Sequence, residues 1–454
     1  MLNYSYNPFK NALEEIDGSD LLLLRDVAEG WYVDYKSLGL KIDDYGKHLA
    51  AFANQYGGWL IIGVTEKNDG SRTADKFVGI HNADVEKISL QLREAAASHV
   101  NPTVLYEEKI IKGPIEEIEL ENDKSIIIVG IPRSLNTPHI HSSGRIYRRL
   151  ADQSKPKEET DRFILDELWK RGNEHQKNVT QFLTQIPRLP EKQSNSTWAH
   201  IFFKPSESQL PPKKDLEFNQ FLDIVTNAND CVTSPYAPMQ AIHTTAKGYV
   251  ARQIENNDPS LAALAINWFN DGSVRLDIPL NCYDMPNFLE THDKNQFAEE
   301  YCRIAYEAGY RNMEIVDFSI FVKILAALSN CYLHMLEAID DKRDIYSCFT
   351  LRNVFYTSPY VDSAKFIERI KKFSLPLTTE QEIVFPQEPT DENMFLHGIE
   401  RPSSYEEIFP LPIMFVLPIV FKVFNSVGIV QDIETFASDI DAWGFGKSND
   451  EANR

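Results

Sequence analysis

The run Gly57-Gly58-Trp59-Leu60-Ile61-Ile62-Gly63-Val64 constrains this chain more than any other stretch. Strand side chains alternate between two faces, so a strand that is apolar at every position needs cover above and below. The run therefore predicts a fully buried central strand with packed elements on both sides. Its neighbours supply candidates. Asp17-Gly18-Ser19-Asp20 offers capping oxygens for a short helix over residues 19–24. Residues 31–36 alternate apolar and polar and read as a strand. Leu49, Phe52 and Ala53 recur at helical spacing over residues 46–55, with Gly57-Gly58 as the expected C-cap.

Further along, residues 84–97 predict a second helix that buries Ile88, Leu90, Leu92 and Ala96, stopped by Asn101-Pro102. Strands are expected over 104–111, 115–120 and 124–131, then a short basic strand over 144–149 and a closing helix over 160–171. This order is that of an α+β domain. A polar, proline-punctuated stretch, 185–197, reads as a linker between residues 1–184 and a second α+β domain, 198–454. In that second domain, strands fit 198–203 and 263–279, the latter folding back at Asn270-Asp271-Gly272. Helices fit 215–227, 294–308 and 362–372. No residue pattern there points to a chemistry, so its expected role is limited to sensing or substrate positioning.

Composition narrows the partners. A chain of 454 residues has room for two or three domains, and 43% hydrophobic with 25% charged residues is ordinary for a globular protein. The net charge of -21 argues against coating nucleic acid with the whole surface, but leaves room for a local basic groove. Five cysteines, an odd number without a CxxC pair, fit neither a disulfide framework nor a zinc pattern and suggest a reducing interior. The first residues lack a basic region followed by an apolar core. The apolar segment 411–430 is broken by Pro412, Pro418, Lys422 and Asn425. A cytoplasmic protein without membrane contact is expected.

Three acids flank the central strand. Glu29 and Asp34 bracket the entry to the preceding strand, and Glu66 follows Gly63-Val64. If the strands pair, their carboxylates can converge at one sheet end, a donor set that suits Mg²⁺ or Mn²⁺. Lys36 shares a strand face with Asp34, where an ammonium can hold a phosphate. On spacing alone, a solvated acidic surface is the commoner explanation.

A cationic stretch follows in Arg133, Arg145, Arg148, Arg149 and Lys155, with Tyr147 interleaved. That combination suits a nucleic-acid groove, and ordinary surface charge explains it equally well. His139 and His141 share a face of an extended strand but lack a third zinc ligand, so a turn-forming Pro-His is the simpler reading. His48 sits on the helix before the glycine pair, where it is either a surface residue or a proton shuttle near the acids. P-loop, Rossmann, GxSxG, HExxH and cysteine-nucleophile patterns are absent.

These motifs together resemble the Schlafen-type AlbA-like domain. The resemblance rests on Glu29-x4-Asp34-Tyr35-Lys36, Ala51-Phe52-Ala53-Asn54-x2-Gly57-Gly58, Leu60-Ile61-Ile62-Gly63-Val64-x-Glu66 and Gly79. It continues through Ile131-Pro132-x5-Pro138-His139, Tyr147-Arg148-Arg149 and the polar tail Gln153-Ser154. It covers residues 18–160 or so. The resemblance implies an α+β fold used on nucleic acid. Its nuclease members cut structured RNAs such as transfer RNA with a metal held by three acids, here Glu29, Asp34 and Glu66, with Lys36 at the family lysine. Asp34 is one methylene shorter than the family glutamate, Glu66 is one longer than the family aspartate, and Thr65 replaces a further acid.

A metal-dependent nuclease acting on RNA of the transfer-RNA kind or on single-stranded nucleic acid, with RNA favoured over DNA and antiphage defence as a setting, is therefore one expectation. A non-catalytic DNA- or RNA-binding regulator and a nucleotide-binding sensor are the alternatives. A single copy of the domain leads to the expectation of a homodimer.

Overall fold

The computed structural model describes residues 5–150, 155–206, 211–227, 239–386, 395–396 and 411–430. The polar tail Gln153-Ser154 and Cys231 lie outside these residues. The chain divides into two compact units, residues 1–179 with 207–211 and residues 180–206 with 212–454.

The first unit is built on the strand that the apolar run predicts. In chain order its elements are β1 (Val33–Lys36), α1 (Ile42–Asn54), β2 (Gly57–Ile62), β3 (Ile80–His81), α2 (Asn82–Ser98) and β4 (Val100–Asn101). Then come β5 (Glu107–Lys112), β6 (Lys124–Pro132), β7 (Ile140–His141), β8 (Tyr147–Arg148), β9 (Lys157–Glu158) and α3 (Arg162–Thr184), whose residues from Thr180 on count with the second unit. Strand β2 pairs parallel with β1 and antiparallel with β6, and β5 flanks β6 on its other side.

All six residues of β2 are buried because each face has its own cover. Leu60 and Ile62 pack with Leu49, Phe52 and Ala53 of α1 and with Leu92 and Ala95 of α2. Trp59 and Ile61 pack with Phe9, Leu21 and Leu24 from the N-terminal segment, which runs through a 3-10 helix over Asp20–Asp26. Each fully buried aliphatic side chain contributes roughly 1.5–3 kcal/mol, so this double layer anchors the unit.

Four expectations are corrected. Helix α1 ends at Asn54 with Gln55 as its C-cap, so the glycines open β2 instead of capping the helix. They are needed for close approach. A Cβ on Gly58, at φ +152°, would lie 2.5 Å from the Tyr32 carbonyl oxygen and 2.6 Å from the Phe52 ring. Residues 115–120 are no strand. Ile115 and Leu120 pair across a 3-10 turn, Glu116–Ile118, that buries Ile118 and Leu120 while leaving the glutamates outside. Leu90 is 59% exposed, because positions two apart on a helix face opposite ways; Ile88, Leu92 and Ala96 form the buried stripe. Helix α3 also runs well past 171, to Thr184.

The second unit holds an antiparallel sheet in the spatial order Ala241–Thr245, Gly248–Arg252, Ala265–Phe269, Val274–Pro279, Trp198–Pro205, Ile345–Arg352, Glu382–Phe385. Its core helix, Phe318–Ala338, escapes the sequence reading because it is apolar on nearly every side. By length and composition it could cross a membrane, but 78% of its apolar window is buried within the protein, as befits a core helix. The apolar segment near residue 411 is a helix, Leu411–Ser426. Both units mix helices with sheets, so the chain is α+β.

Candidate functional site

Strand alternation decides where the acids go. On β1, Val33 and Tyr35 face the N-terminal layer, which turns Asp34 and Lys36 toward α1. Glu29 lies just upstream, where its amide donates to the Arg72 carbonyl at 2.9 Å. Glu66 forms an isolated bridge with Ala74 and Ala28 another with Thr73, so the turn carrying Glu66 and Arg72 is stitched beside Glu29. The structure sets both Asp34 and Glu66 beside the Glu29 carboxyl.

Glu29 is the centre of that cluster. It is 4% exposed, and neither of its carboxylate oxygens has a hydrogen-bond partner of normal geometry. Burial, reinforced by the nearby Asp34 and Glu66 carboxylates, pushes its carboxyl up to about 9. Asp34 is fully buried. Burial works to raise it, but the contact from His48, the neighbouring Glu29 and the Arg149 charge outweigh that and hold it well below the usual carboxylate range. Glu66 remains partly exposed, and its neighbour Glu29 together with Arg72 lowers its carboxyl.

Cations fill the remaining sides. Lys36 Nζ lies 2.5 Å from Asp34 and 4.0 Å from Glu29. Arg72 bridges Glu29 at 3.1 Å and Glu66 at 3.3 Å. Arg149 reaches Asp34 at 3.2 Å and Glu29 at 3.6 Å, donates to the Gly30 carbonyl, and lies over the Phe52 ring. His48 Nδ1 sits 2.8 Å from Asp34; burial pushes the imidazole pKa down, against the opposing pull of the Asp34 carboxylate. With Glu29 protonated, two carboxylates face the three cations of Lys36, Arg72 and Arg149. Each of the three carboxylates lies beside a cation, and the group of described residues whose potential ligand atoms all lie within 4.8 Å of one another is Asp43, His99 and His141, not these acids.

The basic stretch does not act as one edge. Arg149 is fully buried and serves the acids, which corrects its expected place on an exposed strand. Tyr147 is also buried, edge-on to His141. Arg148 is paired with Glu159, and Arg145 with Glu158 at 3.0 Å. Arg133, Arg145 and Lys155 are the exposed members. Two residues were missed or undervalued: Arg72, which sits in an ordinary-looking turn, and His48, whose helix position gave only a faint signal.

The histidine pair separates. His139 Nδ1 bonds the Pro102 carbonyl at 2.7 Å. His141 instead groups with Asp43 and His99, whose potential ligand atoms all lie within 4.8 Å of one another. Asn54 joins this segment to α1 by donating to the His139 and Tyr147 carbonyls and accepting from the His139 amide.

The Schlafen, AlbA_2 family profile matches residues 29–158, beginning at the first of the three acids. No curated protein matches. Among solved structures, the DIP2311 protein from Corynebacterium diphtheriae is similar at 14% identity with a TM-score of 0.20, over 47% of this chain. That similarity spans only 33% of the other chain. The chain therefore bears a Schlafen, AlbA_2 domain in its N-terminal region, and this domain points to a function connected with nucleic acid.

Proposed function

We propose that the N-terminal unit is a metal-dependent nuclease that cuts RNA in preference to DNA. The observation that carries this reading is the meeting of Asp34 and Glu66 at the buried Glu29 carboxyl. In this reading the three acids hold Mg²⁺ or Mn²⁺. Bound there, such an ion supplies Lewis-acid polarisation of a phosphoryl oxygen and an activated water.

The chain's own residues do the rest. Arg149 and His48 fix Asp34, leaving it no freedom to turn away from the cluster. Lys36, partly exposed, places an ammonium beside Asp34, where it can also receive a phosphate oxygen. Arg72 restrains Glu66 and offers a second cation at the rim. A homodimer supplying a second lobe, and a sensing or positioning role for the second unit in a defence setting, complete the proposal.

The test is incubation of the full chain with transfer RNA and Mn²⁺. Cleavage that disappears in the Glu29→Ala, Glu66→Ala double variant supports the reading; no cleavage of any RNA or DNA overturns it.

One observation favours a second reading, a non-catalytic regulator. Every acid already has a basic partner, as in a structural ion-pair network. This reading predicts salt-sensitive binding that survives loss of the acids and depends on the exposed Arg133, Arg145 and Lys155.

A further inference from the structure

The segment that joins two of the site acids carries more than its acids. Between Glu29 and Asp34 the chain presents Trp31 and Tyr32, both partly exposed. Their rings belong to a contiguous aromatic patch. Tyr6 meets Tyr32 at 5.4 Å between centroids, Tyr32 meets Tyr56 at 5.8 Å, and Trp31 meets Tyr56 edge-on at 6.1 Å. Tyr6 and Tyr56 remain 39% and 41% exposed despite these contacts. The patch is held to the core: the Trp59 indole donates to the Tyr6 carbonyl at 2.8 Å, and the Tyr32 carbonyl accepts from the Trp59 amide at 2.7 Å.

Cations sit beside it. Arg171 is anchored on the Asn54 carbonyl at 3.0 Å, two residues before Tyr56, and lies within electrostatic reach of Arg133, Glu167 and Tyr56. Arg133 is exposed. On a chain of net charge -21, rigid half-exposed rings flanked by arginines are out of place as plain surface. Nucleobases all have a π-face, so such rings bind unpaired bases with little regard to sequence, while nearby arginines take the phosphates.

We propose that Trp31, Tyr32, Tyr56 and Tyr6 form a stacking platform for unpaired bases, with Arg133 and Arg171 beside it. Trp31 and Tyr32 lie on the segment between Glu29 and Asp34, so the platform and the acids share one stretch of backbone. The substrate class is thus a single-stranded stretch of nucleic acid, such as a loop or an end, and not a continuous duplex. This inference rests on the nuclease reading for its purpose, but binding alone tests it.

The experiment measures fluorescence anisotropy of labelled RNA oligonucleotides on the full chain in EDTA, so that no cleavage occurs. A single strand, its duplex and an abasic strand of equal length are compared. The wild type should prefer the single strand. A Trp31→Leu, Tyr56→Leu variant should bind that strand about 10- to 100-fold more weakly, with the abasic strand equally weak on both proteins. A Trp31→Phe, Tyr56→Phe variant keeps the rings and should restore most of the affinity, which a loss of folding would not allow.

Equal binding of the abasic and normal strands by the wild type overturns the platform, as does failure of the phenylalanine variant to restore affinity. Ring-dependent binding without Mn²⁺-dependent cleavage would sink the nuclease reading alone. Cleavage with ring-independent binding would sink the platform alone.

Discussion

The Glu29 carboxyl makes the sharpest quantitative prediction. Its proton affinity is raised from 4.5 to about 9 by burial and by the Asp34 and Glu66 carboxylates. The folded protein thus holds a proton that the unfolded chain releases above pH 4.5. The resulting stabilisation is complete below that pH and is lost as pH rises toward 9. Between pH 5.5 and 8 the whole window lies inside this range, so the linkage amounts to at most about 3 kcal/mol. In a Glu29→Gln variant, a neutral amide of the same size replaces the proton-bearing acid and the slope disappears. Thermal unfolding in EDTA should show the variant gaining on the wild type between pH 5.5 and 8. The expected gain is roughly 6–12 °C, taking about 2–4 °C per kcal/mol for a unit of this size. A difference in Tm that stays constant with pH, or a wild type that gains on the variant, would refute the reasoning.

Other perturbations follow from the same geometry. Arg149→Leu leaves Asp34 buried without its guanidinium, and a loss of about 3 kcal/mol should appear as a lower urea midpoint. Gly58→Ala drives a Cβ into the Tyr32 carbonyl at a positive φ; a loss of more than about 1 kcal/mol and a lower Tm are expected. Cation binding at the acid cluster must displace the Glu29 proton. Calorimetry in buffers of different ionisation enthalpy should therefore show about one proton released per Mn²⁺ bound at pH 7.

The legible parts of this molecule are those with a local signature. Strand β2 was readable because apolar residues at every position admit one explanation, and α1 because Leu49, Phe52 and Ala53 share a face. The acids Glu29, Asp34 and Glu66 were placed together by their position at the strand ends. Arg149 was misplaced because its burial depends on Asp34, 115 residues away in the chain, and no local spacing encodes that contact. Arg72 was invisible for a related reason: it enters the site through the pairing of its turn with Glu29, not through any motif. The core helix Phe318–Ala338 was lost because a helix buried all round has no amphipathic period to detect.

The most direct test of the acid cluster as a cation site is a Mn²⁺ titration followed by electron paramagnetic resonance of the free ion. The wild type should remove Mn²⁺ from solution in a saturable step, more strongly at pH 8 than at pH 6. The same step should be absent in Glu66→Ala, whose missing carboxylate is the most exposed of the three. Identical titrations for the two proteins, or no uptake by the wild type at either pH, would contradict the account.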